Sequence, residues 1–320
     1  MDNPRDPKLQ SILDRITLQK GRSFQRLITV IPILIAAAIL GYLVYQQREL
    51  LLDQTWMFRW DAIVISFFLF SLALFLAALT WGWILNSVGQ HIPMFKHVRY
   101  YCISNLSKRI PGTIWYIANR AQLYKEEGLS RRVTSLASGV ELAVFILSGI
   151  MVSAIFAIPI ALRYQFSLWV LAAILIVGLV SIHPNVIKRV FILLKVQAPE
   201  IHYRSLVGWL LAYCPVWILG GVVLFAIGNA LTPIPIQQIS YVIGCWVFVG
   251  VLSTALFFSP SNFGVTEIGL SLLLTNILPA PIAVIITVIT RILLILYEIF
   301  WALVLLGLRT PGESEAIKPE

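Results

Sequence analysis

Long apolar runs recur along almost the whole chain, with short polar stretches between them. A helix needs about 20 consecutive, mostly apolar residues to cross a bilayer. Runs that meet this need cover 27–45, 62–85, 133–162, 164–182, 205–229 and 238–258, and a last one covers 281–308. Between 205 and 266 there is no Asp, Glu, Lys or Arg at all. The pattern ahead of these runs is different. Leu9, Ile12, Leu13 and Ile16 share one helical face, with Lys8, Asp14, Arg15 and Lys20 elsewhere. Apolar residues at i, i+3, i+4 and i+7 predict an amphipathic helix, which in this setting lies on the membrane surface. Val186, Ile187, Val190 and Phe191 predict a second interfacial helix within the polar stretch 183–204.

Two regions fit neither pattern. Residues 86–133 are apolar pieces broken by Pro93, Pro111, Gly112 and Gly128, and they carry many basic residues. Within them 94–107 and 113–124 are predicted as short helices, each too short to cross alone. The second region opens with Ser259-Pro260-Ser261-Asn262-Phe263-Gly264 and continues as a short apolar helix over 268–278. Basic residues concentrate in loops on the cytoplasmic side. Here they cluster before residue 27, in 86–133 and in 183–204, and the alternate loops are poor in them. Both termini are therefore expected on the cytoplasmic face of a bacterial or archaeal plasma membrane. That requires an even number of crossings, about eight, with 259–279 crossing as a broken helix and 86–133 entering and returning. The expected fold class is all-α, a polytopic transmembrane helical bundle. It would have a cytoplasmic segment over 1–26, a membrane domain over 27–308 and a polar tail over 309–320.

Composition supports this reading. Of 320 residues 59% are hydrophobic and 12% charged, where soluble domains carry about a quarter charged residues. The formal charge of +9 belongs to loops facing anionic headgroups, and no soluble basic module is present to take nucleic acid. Cys102, Cys214 and Cys245 form no Cys-x-x-Cys pair and read as small buried residues. His91, His97, His183 and His202 lie in loops or at span ends, read as interfacial residues and form no ligand cluster, so neither metal nor cofactor is expected. Trp56, Trp60, Trp81, Trp83 and Trp115 suit the aromatic belts of a membrane protein. No metalloprotease, nucleophile-elbow or P-loop motif occurs.

The candidate chemistry lies in charges within the apolar runs. Glu141, Glu267, Arg291 and Glu298 each cost about 2.5–3.5 kcal/mol to insert and persist when paired or when lining a wet cavity. Arg291 and Glu298 are seven residues apart, on one helical face. The breaks at Pro111-Gly112 and at Pro260 to Gly264 should interrupt helices, and paired breaks in two halves of a chain point to a transporter site. A broken helix offers free N–H groups to an anion, and Lys108, Arg109 and Arg120 add basic donors.

On these residues the chain resembles the membrane domain of the lysylphosphatidylglycerol synthase/flippase family, including its stand-alone flippase-like members. Pro111, Gly112 and Arg120 match the family's first motif, and Glu141 matches its span acid. Pro260, Gly264 and Glu267 match the last motif, and Arg291 the arginine of the final helix. Ser261 and Asn262 stand where the family has paired glycines, Thr266 where a basic residue is common, and Trp115 where glycine is frequent. The resemblance implies movement of a lipid between leaflets, with a phospholipid or lipid-linked molecule of anionic or phosphate-bearing headgroup as substrate. It does not carry the synthase activity, because the short tail after residue 308 leaves no room for that domain. Other readings of the same residues are an intramembrane transferase acting on a lipid-linked donor, and an accessory scaffold for an envelope pathway. A homo-oligomer is compatible with each.

Overall fold

The computed structural model describes Tyr42, Tyr45 and residues 58–88, 92–107, 115–163, 165, 168–193, 200–256 and 264–308. Within these residues the regular elements are helices, without strands. In chain order they are α1 (Trp60–Val88), α2 (Met94–Leu106), α3 (Trp115–Glu126), α4 (Arg131–Phe156), α5 (Ile158–Arg163) and α6 (Leu168–Ser181). There follow α7 (Pro184–Leu193), α8 (Tyr203–Leu231), a 3₁₀ turn (Ile236–Gln238), α9 (Ile239–Ala255), α10 (Val265–Leu274) and α11 (Ala280–Gly307). Five segments are long and apolar enough to cross a membrane: α1, α4, α8, α9 with its 3₁₀ turn, and α11. The molecule is an integral membrane protein, an all-α polytopic bundle. The amphipathic helix expected over 8–20 lies outside the described residues, as does the span expected over 27–45 apart from Tyr42 and Tyr45, which are helical.

One expected span takes a different form. The run 133–162 was expected to cross without a break, yet α4 ends at Phe156 and α5 starts at Ile158. Pro159 is the cause, since it has no N–H to give and its ring clashes with the carbonyl four residues earlier. The run 164–182 holds α6 over Leu168–Ser181, and residues 164, 166 and 167 lie outside the described residues. The short helices expected in 86–133 are present as α2 and α3. The helix expected within 183–204 is present as α7, with Ile187 and Phe191 buried in the core and Lys188 and Arg189 exposed.

Lipid tails are as apolar as leucine, so helices in a bilayer associate through close packing and small residues. On α1 a row of Ala73, Ala77, Ala78 and Gly82 lets neighbours approach. A Cβ at Gly221 of α8 would stand 2.6 Å from the Ile243 Cα of α9, and one at Gly244 of α9 would stand 2.3 Å from the Phe156 carbonyl oxygen. Backbone meets backbone at both places, so only glycine fits. The buried side chains form two large clusters. One gathers around α1, α4 and α8 with Trp81, Tyr124, Trp209 and Tyr213 at its centre. The other joins α8 and α9 to α10 and α11 through Leu224, Val249, Leu270, Leu274 and Ile286.

Candidate functional site

Glu127 accepts hydrogen bonds from Lys96 Nζ at 2.7 Å and from the Tyr100 hydroxyl at 2.5 Å, and Asn119 Nδ2 donates to Ser107 Oγ at 2.7 Å. These contacts tie α2 to α3 as a hairpin. Gly128, with φ of +86°, turns the chain out of that hairpin toward α4. A second set of bonds fixes the hairpin on α1. Trp81 Nε1 donates to the Tyr124 hydroxyl at 2.9 Å, which lies 2.7 Å from His97 Nδ1. His97 Nε2 is 3.0 Å from Asn86 Oδ1, which also accepts the Ile92 N–H. This chain works with a neutral imidazole that accepts at Nδ1 and donates at Nε2. His97 is thus a fully buried bridge and not the interfacial residue expected.

Arg120 sits at the centre of this assembly. It leaves α3 into the junction of α1, α2, α4 and α8 and has no solvent exposure. Nη1 donates to Glu141 Oε2 at 2.5 Å and Nε to Ser104 Oγ at 3.2 Å, while the Tyr213 hydroxyl donates to Glu141 Oε1 at 3.0 Å. The guanidinium carbon lies 4.2 Å from the Trp81 ring centre, 4.6 Å from that of Tyr101 and 5.2 Å from that of Tyr116. Nη2 has no hydrogen-bond partner, and aromatic faces take the place of one. Trp81, expected in an interfacial belt, is instead a wall of this cage with no exposed surface. Hydropathy registers how apolar a residue is, not which way its helix faces. Trp60, Trp83 and Trp115 are exposed, and Trp56 lies outside the described residues.

The second charged pair is on α10 and α11. Gly264 has φ of +98°, a backbone state that disfavours any side chain, and its N–H donates to Glu267 Oε2 at 2.8 Å. The acid therefore caps the start of its own helix. Its other oxygen lies 3.4 Å from Arg291 Nε, an ionic contact not aligned as a hydrogen bond. The Arg291 side chain keeps 22% of its surface exposed and that of Glu267 8%.

Glu298, two turns beyond Arg291, lines a cavity of about 190 Å³. Its other walls are largely apolar and aromatic, including Leu74 of α1, Trp217 of α8 and Trp246 of α9. Tyr101 and Asn105 of α2 line it as well, so one face of Tyr101 belongs to the cage of Arg120 and its ring also borders the cavity. The structure thus places the six candidates it describes in two ion pairs, Arg120–Glu141 and Glu267–Arg291, with Gly264 at the second and Glu298 at a cavity bordering the first. Arg120 and Glu141 are not part of the cavity lining. Lys108, Arg109, Pro111, Gly112 and Pro260 lie outside the described residues. Among the described residues no group of three or more His, Cys, Asp or Glu is placed to hold a metal ion.

Tyr101, Tyr116, Tyr213, Ser104 and Asn105 are not among the candidates that the sequence singles out. A signal existed for the Glu141 face: Thr134, Ser138, Glu141 and Ser148 recur at helical spacing on α4, and all are buried. No comparable pattern marks the aromatic partners.

A family model described as the lysylphosphatidylglycerol synthase TM region matches residues 29–307. No curated protein matches the chain.

Proposed function

Since the chain belongs to the family of the lysylphosphatidylglycerol synthase TM region, we propose that it moves a lipid with an anionic or phosphate-bearing headgroup between membrane leaflets. The observation that carries this reading is the Glu267–Arg291 contact at a helix that begins abruptly at Gly264. At 3.4 Å, and with Arg291 partly exposed, this pair can open where the Arg120 pair cannot. An anionic headgroup that reaches Arg291 replaces the carboxylate as its counter-charge. Glu267 keeps its bond to the Gly264 N–H meanwhile, so the helix start stays formed while the ionic partner changes. Charges inside a membrane are costly alone and tolerable in pairs, so an exchange of partners avoids an unpaired state.

Arg120 and Glu141 then act as a fastener. They hold α3, α4 and α8 together and position Tyr101 beside the cavity. Lys108, Arg109, Pro111, Gly112 and Pro260 complete the proposed site on the strength of their motifs. The proposed setting is the plasma membrane with both termini cytoplasmic.

The test is reconstitution in vesicles with a headgroup-labelled anionic phospholipid and an impermeant quencher of the label. The reading expects quenching beyond the outer-leaflet half, at a rate set by protein content. Rates equal to those of protein-free vesicles, for phospholipid and polyprenyl phosphate alike, would refute it.

A further inference from the structure

The cavity lined by Glu298 lies at the depth where a bilayer is driest. It borders Ala73 and Ala77 midway along α1, Trp217 and Gly220 midway along α8, Trp246 midway along α9 and Leu294 midway along α11. Hydrocarbon at mid-span offers a protein N–H no acceptor. Among the described lining residues, Tyr101, Asn105, Trp217, Trp246 and Glu298 carry polar side-chain atoms. Trp217 stacks on Phe145, with centroids 4.4 Å apart, and its Nε1 already donates to the Phe145 carbonyl at 2.9 Å. Tyr101 and Glu298 have other interactions within the protein. Asn105 Oδ1 is sealed off and offers a ligand nothing. Two donors are left. Trp246 Nε1 and Asn105 Nδ2 have no hydrogen-bond partner, and neither is among the atoms sealed from contact. A Cβ at Gly220 would stand 2.2 Å from Trp246 Nε1, so the bare glycine lets this edge of the indole sit at the cavity wall.

An N–H left unpaired in hydrocarbon is costly, and an acceptor brought to it removes the cost. Lipid tails bring none. The neutral acceptor that a lipid carries next to its hydrocarbon is the carbonyl of an acyl ester. A phosphate would have to bring its charge to mid-span beside another acid, at greater cost than an uncharged carbonyl. We propose that this cavity is a station for the ester region of an acyl lipid on its way between leaflets. The carbonyl oxygen accepts from Trp246 Nε1 and Asn105 Nδ2, and the chain lies along the aromatic wall. Glu298 is two turns along α11 from Arg291, so the phosphate of the same lipid is left to the Glu267–Arg291 pair. The inference rests on the lipid-moving reading and narrows its substrate class to ester-linked lipids.

The test compares two lipids that differ in their carbonyls alone. The full chain in detergent micelles binds tritiated diacyl phosphatidate, read by scintillation proximity. Unlabelled diacyl phosphatidate and its dialkyl ether counterpart, with the same headgroup and chain length, then compete for it. The ester lipid should displace the label at several-fold lower mole fraction in the micelle than the ether lipid. Trp246→Phe keeps an aromatic ring and removes the open donor, and it should erase that advantage. Trp217→Phe loses only a donor already engaged, and it should keep the advantage. No saturable binding, equal displacement by ester and ether, or an ester advantage that survives Trp246→Phe overturns the inference. If Trp246→Phe does not fold, the comparison on the unaltered protein decides alone. The readout is binding without transport. Vesicles that move no lipid refute translocation and leave an ester preference standing. Lipid movement without an ester preference refutes the station and leaves translocation standing.

Discussion

The Arg120 centre and the Glu267 centre are both acid–base pairs in a bilayer protein, yet they are built in opposite ways. Arg120 is held by Glu141 and Ser104, walled by three aromatic rings and shut off from solvent. Glu267 divides its two oxygens between a helix start and a longer ionic contact to a partly exposed arginine. The difference shows that a buried charge in a membrane is not by itself a working site. A fully buried pair in an aromatic cage gains by staying closed, and a pair whose arginine keeps part of its surface exposed can exchange partners.

Breaking the caged pair should have the largest effect. Arg120→Met leaves the Glu141 carboxylate buried without its cation and should destabilise by about 3–5 kcal/mol, read as loss of monodisperse protein in detergent melting. Adding Glu141→Leu should recover part of that loss, so the double variant melts above the sum of the singles. Tyr213→Phe removes one donor from the same carboxylate and should cost about 1.5–3 kcal/mol in the same melt. Gly264→Ala forces a side chain into a left-handed backbone, about 1–2 kcal/mol, and should weaken the start of α10. Hydrogen exchange at the first turn of α10 would report it, with the Arg120 centre unchanged. Glu267→Gln keeps an oxygen for the Gly264 N–H and leaves an arginine that is 22% exposed, so its melt should fall by less than that of Arg120→Met. If Glu267→Gln were as damaging as Arg120→Met, the contrast between the two centres would collapse.

How much of this the sequence discloses depends on the kind of information needed. Helices α2 and α3 are legible because Pro93 and the Pro111-Gly112 pair bound them. The break between α4 and α5 is hidden, because Pro159 sits in an apolar run and counts as one more apolar residue. Of the site, the charged members stand out against an uncharged background, but the pairing of Glu267 with Arg291 is visible only in the structure. The partners of Arg120 come from α1, α2, α4 and α8, and nothing in local spacing links Trp81 or Tyr213 to residue 120. Long-range packing decides those contacts, and a single sequence carries no periodic trace of it. The same limit explains why Trp81 and His97, both read as interfacial, proved to be interior.

The central claim is that the Glu267–Arg291 pair works and the Arg120–Glu141 pair fastens. One vesicle experiment tests it directly: inward movement of a headgroup-labelled anionic phospholipid by the unaltered protein and by Glu267→Gln, with melting curves measured on the same preparations. The account predicts rapid movement by the unaltered protein and movement near the protein-free rate for Glu267→Gln, with a melt that still shows folded, monodisperse protein. Undiminished movement by Glu267→Gln, or a melt that collapses along with the movement, would contradict it.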